Sequence, residues 1–316
     1  MSLSKKKSEH LKKIAASGSI SLAVALCLLK GLGAAFTGSL AVLSSMIDSL
    51  SDIIASVITF FAVKISGRPA SCEYRYGYGK AEALSAVMQA MFIAMSGAFV
   101  LYDALYRLVK AEVLQKTDFG LAVMIVSMVL TIGLVVFQRY VARVTKSKAI
   151  LADSMHYSVD ILTNVAIIIS LIVIHIWHIN WIDAVMAILV AVYLLYNAYD
   201  LAKESMELLL DKELDDSIRS NVLRIIRSHY LHPEVHDLRT RDLGGTYLFE
   251  FHLELDGSLD LTSAHQYTVE VEDLLRKAYP EAQIIVHQEP QGIDDERLDN
   301  RLTGKKCKPK KQKSSN

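Results

Sequence analysis

The sequence predicts an α-helical membrane protein with six transmembrane helices and a C-terminal α+β cytoplasmic domain. The first observation behind this prediction is composition: 52% of the 316 residues are hydrophobic and the mean hydropathy is +0.29, which is too apolar for an ordinary soluble domain. The second is the distribution of charge, because long apolar blocks are followed, from about Lys203, by mixed charged sequence that no bilayer would hold.

Each apolar block is long enough to cross a hydrocarbon core of roughly 30 Å as a helix. Several blocks carry polar or ionisable residues, which must face protein or water, so the helices are expected to form a bundle over residues 14–207. The predicted spans are residues 14–36, 40–63, 81–108, 119–141, 150–176 and 181–201. A lysine-rich arm at residues 1–13 precedes them, and because no small-residue cleavage pattern follows, we interpret it as a retained segment.

The basic residues predict the orientation of the bundle. Lysines and arginines are concentrated before span one, between spans two and three, and between spans four and five, whereas the other loops contain fewer. Both termini are therefore predicted to be cytoplasmic. The expected host is an inner or plasma membrane, which the basic residues do not themselves identify. Acidic and basic residues balance at 34 each, so the net charge gives no support for a nucleic-acid partner.

Residues 208–292 are predicted to form the cytoplasmic domain, with the order α-β-β-α-β. The expected elements are a helix at 214–230, strands at 235–243 and 246–256, a helix at 262–279 and a strand at 282–289. Gly244 and Gly245 supply the tight turn between the first two strands. Residues 293–316 are rich in lysine and poor in apolar side chains, so they are predicted to be a disordered basic tail, for which contact with anionic lipid is the alternative.

Two pairs of ionisable residues at membrane depth form the candidate transport site. Asp48 and Asp52 lie four residues apart on span two, which places both carboxylates on one helix face. His156 and Asp160 have the same spacing on span five. Buried carboxylates repel each other unless a cation lies between them, so two such pairs facing each other predict a cation site with four ligands.

One imidazole with several carboxylates suits tetrahedral zinc better than calcium or magnesium. Iron(II), cobalt, nickel, manganese and cadmium remain open, because affinity alone does not separate these ions. The ligands must be deprotonated to bind metal, so metal loading releases protons and proton loading expels metal. The pattern therefore predicts exchange of a divalent metal for protons. The three cysteines, Cys27, Cys72 and Cys307, are too far apart to indicate a disulfide framework or a thiolate zinc cluster.

These two pairs, together with six spans and a cytoplasmic domain, resemble the cation diffusion facilitator family, and in particular its bacterial zinc and iron branch. The resemblance extends over residues 4–290 and includes the segments 77–82, 236–241 and 287–290. It implies a homodimer that exports zinc, and also iron(II) or cadmium, by alternating access in exchange for protons. It also implies an ion pair between Lys80 and Asp211 where the two domains meet.

The resemblance further implies a second zinc site, structural or regulatory, in the cytoplasmic domain. Strand alternation independently places His252 on the polar face of its strand. The residues that match the family's cytoplasmic ligands are His236, His252, His265, His287 and Glu289. His229 and His232 have no match and are expected to be surface residues. Asp153 and Asn164 flank the transport site on its own helix and are candidates for orienting its ligands, with plain helix-helix hydrogen bonds as the alternative.

One loop departs from the pattern of many bacterial relatives, which carry an aspartate and two histidines as a further zinc site between spans two and three. This chain has Ser71, Tyr74 and Tyr78 at these positions, none of which is a ready zinc ligand at neutral pH. The loop site is therefore expected to be absent. Cys72 and Glu73 are a weak alternative pair of ligands.

Two other functional classes also bind metal at a membrane. An intramembrane metalloenzyme usually shows a pattern such as His-Glu-x-x-His, which this sequence lacks, so no enzymatic activity is predicted. A membrane-bound metal sensor or scaffold that binds metal without moving it is the alternative function. The sequence disfavours it, because sensing does not require ligands at membrane depth.

Overall fold

A computed structural model of the chain describes residues 5–37, 40–109, 118–177, 182–229, 233–292 and 297–298. The chain divides into two compact units, Met1–Leu209 and Leu210–Asn316. The predicted tail at 293–316 lies outside the described residues, apart from Arg297 and Leu298.

The first unit consists of long helices that confirm the six predicted spans. They are α1 (Lys5–Thr37), α2 (Leu40–Ser66), α3 (Ala81–Val109), α4 (Asp118–Thr145), α5 (Lys148–Trp177) and α6 (Ile182–Leu209). Because α1 begins at Lys5, most of the basic arm is helical and continuous with span one. Within the described residues, α1, α3, α4 and α6 each contain a stretch long and apolar enough to cross a membrane.

Small residues allow these helices to pack closely. Helix α3 packs on α6, and their shared core with α5 contains Ile93, Val159 and Leu194. Helix α1 packs on α2, and a second core with α4 and α5 is built largely from alanines. Close backbone approach of this kind is typical of helices in lipid, where burial of apolar surface gives little driving force. Large apolar side chains such as Phe99 and Val136 point outward, as a lipid environment requires.

The second unit has the predicted α-β-β-α-β order. Its elements are α7 (Asp216–Arg227), β1 (Glu234–Asp242), β2 (Tyr247–Leu255), α8 (Leu261–Ala278) and β3 (Gln283–Pro290). The sheet has the order β1-β2-β3, with β1 antiparallel and β3 parallel to β2. Between β1 and β2, Gly244 and Gly245 adopt φ of +90° and +99°, and Asp242 Oδ1 accepts a hydrogen bond from each of their amides.

One face of this sheet carries the apolar core of the unit. Phe249, Phe251 and Leu275 are fully buried there, together with side chains from α7. Helix α8 begins at an N-cap, Asp260, whose carboxylate accepts a hydrogen bond from the amide of Ser263 at 2.9 Å. With both helices packed against the apolar side chains, the alternation of the strands sends the polar side chains to the other face.

Candidate metal centres

A row of three histidines crosses the polar face of the cytoplasmic sheet. His236 on β1 is the register partner of His252 on β2, which in turn is the partner of His287 on β3. The side chains become more exposed along the row, from 6% for His236 through 27% for His252 to 65% for His287. Strand pairing therefore brings together three imidazoles that lie far apart in the sequence.

Glu289 completes this cluster from the end of β3. Its Oε1 lies 2.6 Å from His252 Nδ1 and 3.4 Å from His287 Nε2, and its Oε2 lies 3.3 Å from His236 Nε2. The ligand atoms of His236, His252 and Glu289 all lie within 4.8 Å of one another. A zinc tetrahedron with bonds near 2.0 Å has ligand atoms roughly 3.3 Å apart, so the cluster has dimensions suited to zinc.

The state of His236 supports the same interpretation. The ring is buried, and although both nitrogens lie 3.2–3.3 Å from carboxylate oxygens, neither makes a hydrogen bond of acceptable angle. A buried polar group without a hydrogen bond is costly, and a metal ion on Nε2 would remove that cost for one of the two nitrogens. The residues present therefore fit a bound metal ion.

Two histidines at this end of the protein differ from the cluster. His265 is exposed on α8 and does not belong to the group of ligand atoms around Glu289, so its part in the cytoplasmic site stays a prediction. His229 is not a surface residue as expected: it is 5% exposed, and its Nε2 lies 3.1 Å from Glu270 Oε2. The carboxylate of Glu270 explains how a helix terminus can bury this ring. His232 lies outside the described residues.

In the membrane unit, the structure brings Asp52 and His156 into contact. His156 Nε2 on α5 lies 3.1 Å from Asp52 Oδ1 on α2, and both side chains are about nine-tenths buried, at 11% and 10% exposure. Asp160 lies one turn further along α5 and is half-buried. Asp48 lies on α2, but its side chain is outside the described residues. One residue of each predicted pair thus meets across the helix interface.

Asp153, one turn before His156, is fully buried and joins four helices. Its carboxylate accepts hydrogen bonds from Ser19 Oγ on α1 at 2.6 Å, Gln138 Nε2 on α4 at 2.5 Å and Thr59 Oγ1 on α2 at 3.3 Å. The sequence predicts a role for Asp153 but not for these partners. Their only signal was that each is a polar residue in an apolar span. Asn164 is half-buried on the same helix, and its role stays a prediction.

Lys30 lies near the candidate transport site but is not among the residues that the sequence predicts to be functional. Lys30 Nζ on α1 donates a hydrogen bond to Ser49 Oγ at 2.8 Å, and Ser49 lies between Asp48 and Asp52 on α2. An intramembrane lysine is costly and usually functional, so its presence in span one was the available signal.

The predicted pair of Lys80 and Asp211 falls on two different units and stays a prediction. Lys80 Nζ donates to the carbonyl of Leu209 at 3.4 Å within the first unit. Asp211 Oδ2 lies 3.2 Å from Arg241 Nη1 within the second.

In the loop before α3, Ser71, Tyr74 and Tyr78 contact one another. Ser71 Oγ and Tyr78 OH are 3.0 Å apart, the amide of Tyr74 donates to Ser71 Oγ at 3.1 Å, and the two tyrosine rings lie with their centroids 4.7 Å apart. In this chain, hydrogen bonds and ring contact therefore organise the loop.

Comparison with known proteins covers both units. A profile described as the cation efflux transmembrane domain matches residues 18–210, and one described as the cytoplasmic domain of cation efflux proteins matches residues 214–291. The cation-efflux pump FieF of Klebsiella pneumoniae is 37% identical over 280 residues, which are 88% of this chain and 93% of the relative. FieF of Shewanella oneidensis is 36% identical over 283 residues, with 89% and 95% covered.

A solved structure, the Zn form of CzrB, is 33% identical and covers 27% of this chain and 99% of its own. Its TM-score of 0.24 is too low to support an inference about the whole fold.

Proposed function

This chain belongs to the cation diffusion facilitator family of divalent cation efflux transporters, and we propose that it is a zinc exporter coupled to protons. In this proposal it works as a homodimer by alternating access in a bacterial inner membrane, with both termini on the cytoplasmic side. Iron(II) and cadmium are further candidate substrates. A cytoplasmic zinc ion bound by the sheet serves a structural or regulatory role.

The contact between Asp52 and His156 is the observation that carries the proposal. It joins a carboxylate and an imidazole from two helices at 3.1 Å. Ionisable side chains in a membrane-spanning region are costly, so those that occur there usually mark a functional site. A nitrogen and several oxygens form a ligand set that zinc accepts readily. With Asp160 one turn away and Asp48 on the facing helix, four ligands are available from only two helices.

This arrangement explains how metal and protons can exchange. Zinc binds only to the deprotonated carboxylates and to the unprotonated nitrogen of His156, so each proton that arrives competes with the metal for the same atoms. When the site opens to the cytoplasm, where metal is to be removed, zinc displaces protons. When it opens to the other side, protons displace zinc. Because the ligands come from α2 and α5, a small separation of the two helices would weaken the site and favour release.

In the cytoplasmic unit, His236, His252, His287 and Glu289 would hold the resident ion. When bound, zinc would supply a cross-link between β1 and β3 across β2, and this ion is redox-inert. The residues themselves prepare the site through strand register, which aligns the imidazoles, and through the position of Glu289 among them.

Reconstitution tests the transport function. Purified protein in liposomes with an imposed pH gradient should take up zinc and move protons in the opposite direction. Asp52→Ala should abolish both fluxes, whereas Asp200→Ala, which removes an exposed carboxylate on α6, should leave them unchanged. Undiminished transport by Asp52→Ala would refute the site. Stoichiometric zinc binding without flux in the wild type would instead favour the sensor or scaffold.

A competition series in the same liposomes tests the choice of metal. Zinc should compete best against iron(II), cadmium, cobalt, nickel and manganese, because the ligand set contains an imidazole and allows tetrahedral geometry. Transport of manganese alone would refute the zinc assignment while leaving the transporter function intact.

A further inference from the structure

Two residues that follow β3 lie against the buried end of the histidine row. Arg297 Nη2 lies 2.7 Å from Glu254 Oε1, and the amide of Leu298 donates to Asp237 Oδ2 at 2.7 Å. Glu254 and Asp237 are each 6% exposed, so both contacts reach buried acceptors. Residues 297–298 therefore bind the sheet at a defined place, which we call the return contact.

Both acceptors of the return contact adjoin His236. Glu254 Oε1, the oxygen that binds Arg297, also lies 3.2 Å from His236 Nδ1. Asp237 follows His236 in the chain and has a φ of +53°, at the point where the register of β1 and β2 shifts. Non-glycine residues are uncommon in the left-handed region, and an irregularity of this kind in a strand re-aims neighbouring side chains. The return contact thus touches the two groups that set the orientation of His236.

The two nitrogens of His236 can then take different roles. A carboxylate that accepts the Nδ1–H of a histidine fixes the tautomer in which Nε2 keeps its lone pair for a metal ion. His236 Nε2 faces the cluster, 3.3 Å from Glu289 Oε2, whereas Nδ1 faces Glu254. The Nδ1–Glu254 distance is short enough for a hydrogen bond, but its angle is poor in this conformation. Alignment of this hydrogen bond therefore requires a rotation of the ring.

We propose that Glu254 and Arg297 are positioning residues for the cytoplasmic metal ion, and that metal on His236 in turn strengthens the return contact. The proposal rests on the cytoplasmic zinc site proposed above. Arg297 positions the carboxylate of Glu254, and this carboxylate accepts the Nδ1–H of His236. The Nε2 of His236 is then free to bind the metal ion. Because coupling between two binding events is reciprocal, a contact that favours metal binding must itself be favoured by metal. The segment after β3 would then be fixed to the sheet when cytoplasmic zinc is plentiful.

Zinc affinity is the first readout. The full-length protein with Asp52→Ala, which removes the transport site, is titrated with zinc chloride alone. Adding Glu254→Gln should weaken zinc binding by about tenfold to a hundredfold, as is usual when an outer partner of a ligating histidine is lost. Arg297→Gln should weaken it less, and Arg297→Lys should restore part of that loss. Arg276→Gln, which removes an arginine paired with Glu272 on the surface of α8, is the matched control and should bind as the parent does.

Cleavage by trypsin after Arg297 is the second readout, and a purely structural role would not give a zinc dependence here. In the parent, saturating zinc should slow cleavage of the bond between Arg297 and Leu298, whereas in Glu254→Gln saturating zinc should have little effect. Unchanged zinc affinity in Glu254→Gln, or cleavage that ignores zinc in the parent, would overturn the inference. If His236→Ala also binds zinc as the parent does, the cytoplasmic site itself is wrong, which is a separate failure.

Discussion

Replacing Asp153 with alanine should loosen the membrane unit, because this fully buried carboxylate accepts hydrogen bonds from three other helices. Alanine removes the acceptor and leaves the donors of Ser19, Thr59 and Gln138 facing one another in an apolar interior. Asparagine keeps one acceptor oxygen. The amide of Gln138, whose Oε1 has no hydrogen-bond partner, can then rotate and accept from the new side chain.

The size of the effect follows from these contacts. Interhelical hydrogen bonds in a membrane protein contribute about 0.6 kcal/mol on average and at most about 1.7, so three of them give about 2 kcal/mol, with about 5 as the upper limit. For Asp153→Asn, most of the contacts survive, and the loss should stay below about 1 kcal/mol.

Thermal unfolding of the purified protein in detergent measures this difference. For a unit of roughly 200 residues, 2 kcal/mol corresponds to a decrease in Tm of about 4–8 °C. Asp200→Ala, which removes an exposed carboxylate, is the control and should melt as the wild type does. The reasoning is wrong if Asp153→Ala melts within about 1 °C of the wild type, or if Asp153→Asn falls as far as Asp153→Ala.

Two predictions concern the cytoplasmic unit. Phe249→Ala, which removes a fully buried ring that packs edge-on against Tyr279, should destabilise the unit by about 3–5 kcal/mol and increase hydrogen exchange across β2 and α8; unchanged exchange would contradict the placement of this ring in the core. The pKa of Asp260 is lowered because the amide and hydroxyl of Ser263 donate to its carboxylate. The stabilisation of α8 by Asp260 should therefore be complete above the ordinary aspartate pKa of about 3.9. It should be lost as the pH falls through the lowered pKa. Exchange at the start of α8 should therefore rise at acid pH in the wild type but much less in Asp260→Asn, which caps the helix without titrating; equal acid dependence in both would refute this origin.

The sequence predicted those features that depend on local pattern. Uninterrupted apolar length decides where a helix can cross a bilayer, so the six helices lie over the predicted spans, although α1 begins nine residues earlier and α6 ends eight residues later than predicted. Gly244 and Gly245 predicted the turn because few other residues tolerate positive φ at both positions. Helical spacing placed His156 and Asp160 on one face, as it did Asp48 and Asp52.

Other features depend on contacts between distant segments, which spacing does not report. The alternation of β2 put Glu254 on the polar face with His252, yet Glu254 is buried, with Arg297 and His236 against its carboxylate. Likewise, nothing in the pattern of span five indicates that Asp153 meets Ser19 and Gln138, 134 and 15 residues away. The burial of His229 depends on Glu270 of α8 in the same way.

The histidine row has a consequence for how the cytoplasmic unit responds to its surroundings. An ion bound by His236 and Glu289 joins β1 to β3 and closes a loop of about fifty residues. A covalent cross-link that closes a loop of this length lowers the entropy of the unfolded chain and stabilises the folded state by about 4 kcal/mol. Unlike a disulfide, this metal cross-link forms when the concentration of free metal rises and is lost when it falls. The rigidity of the cytoplasmic unit would therefore rise and fall with the concentration of free metal, which is what an efflux transporter lowers.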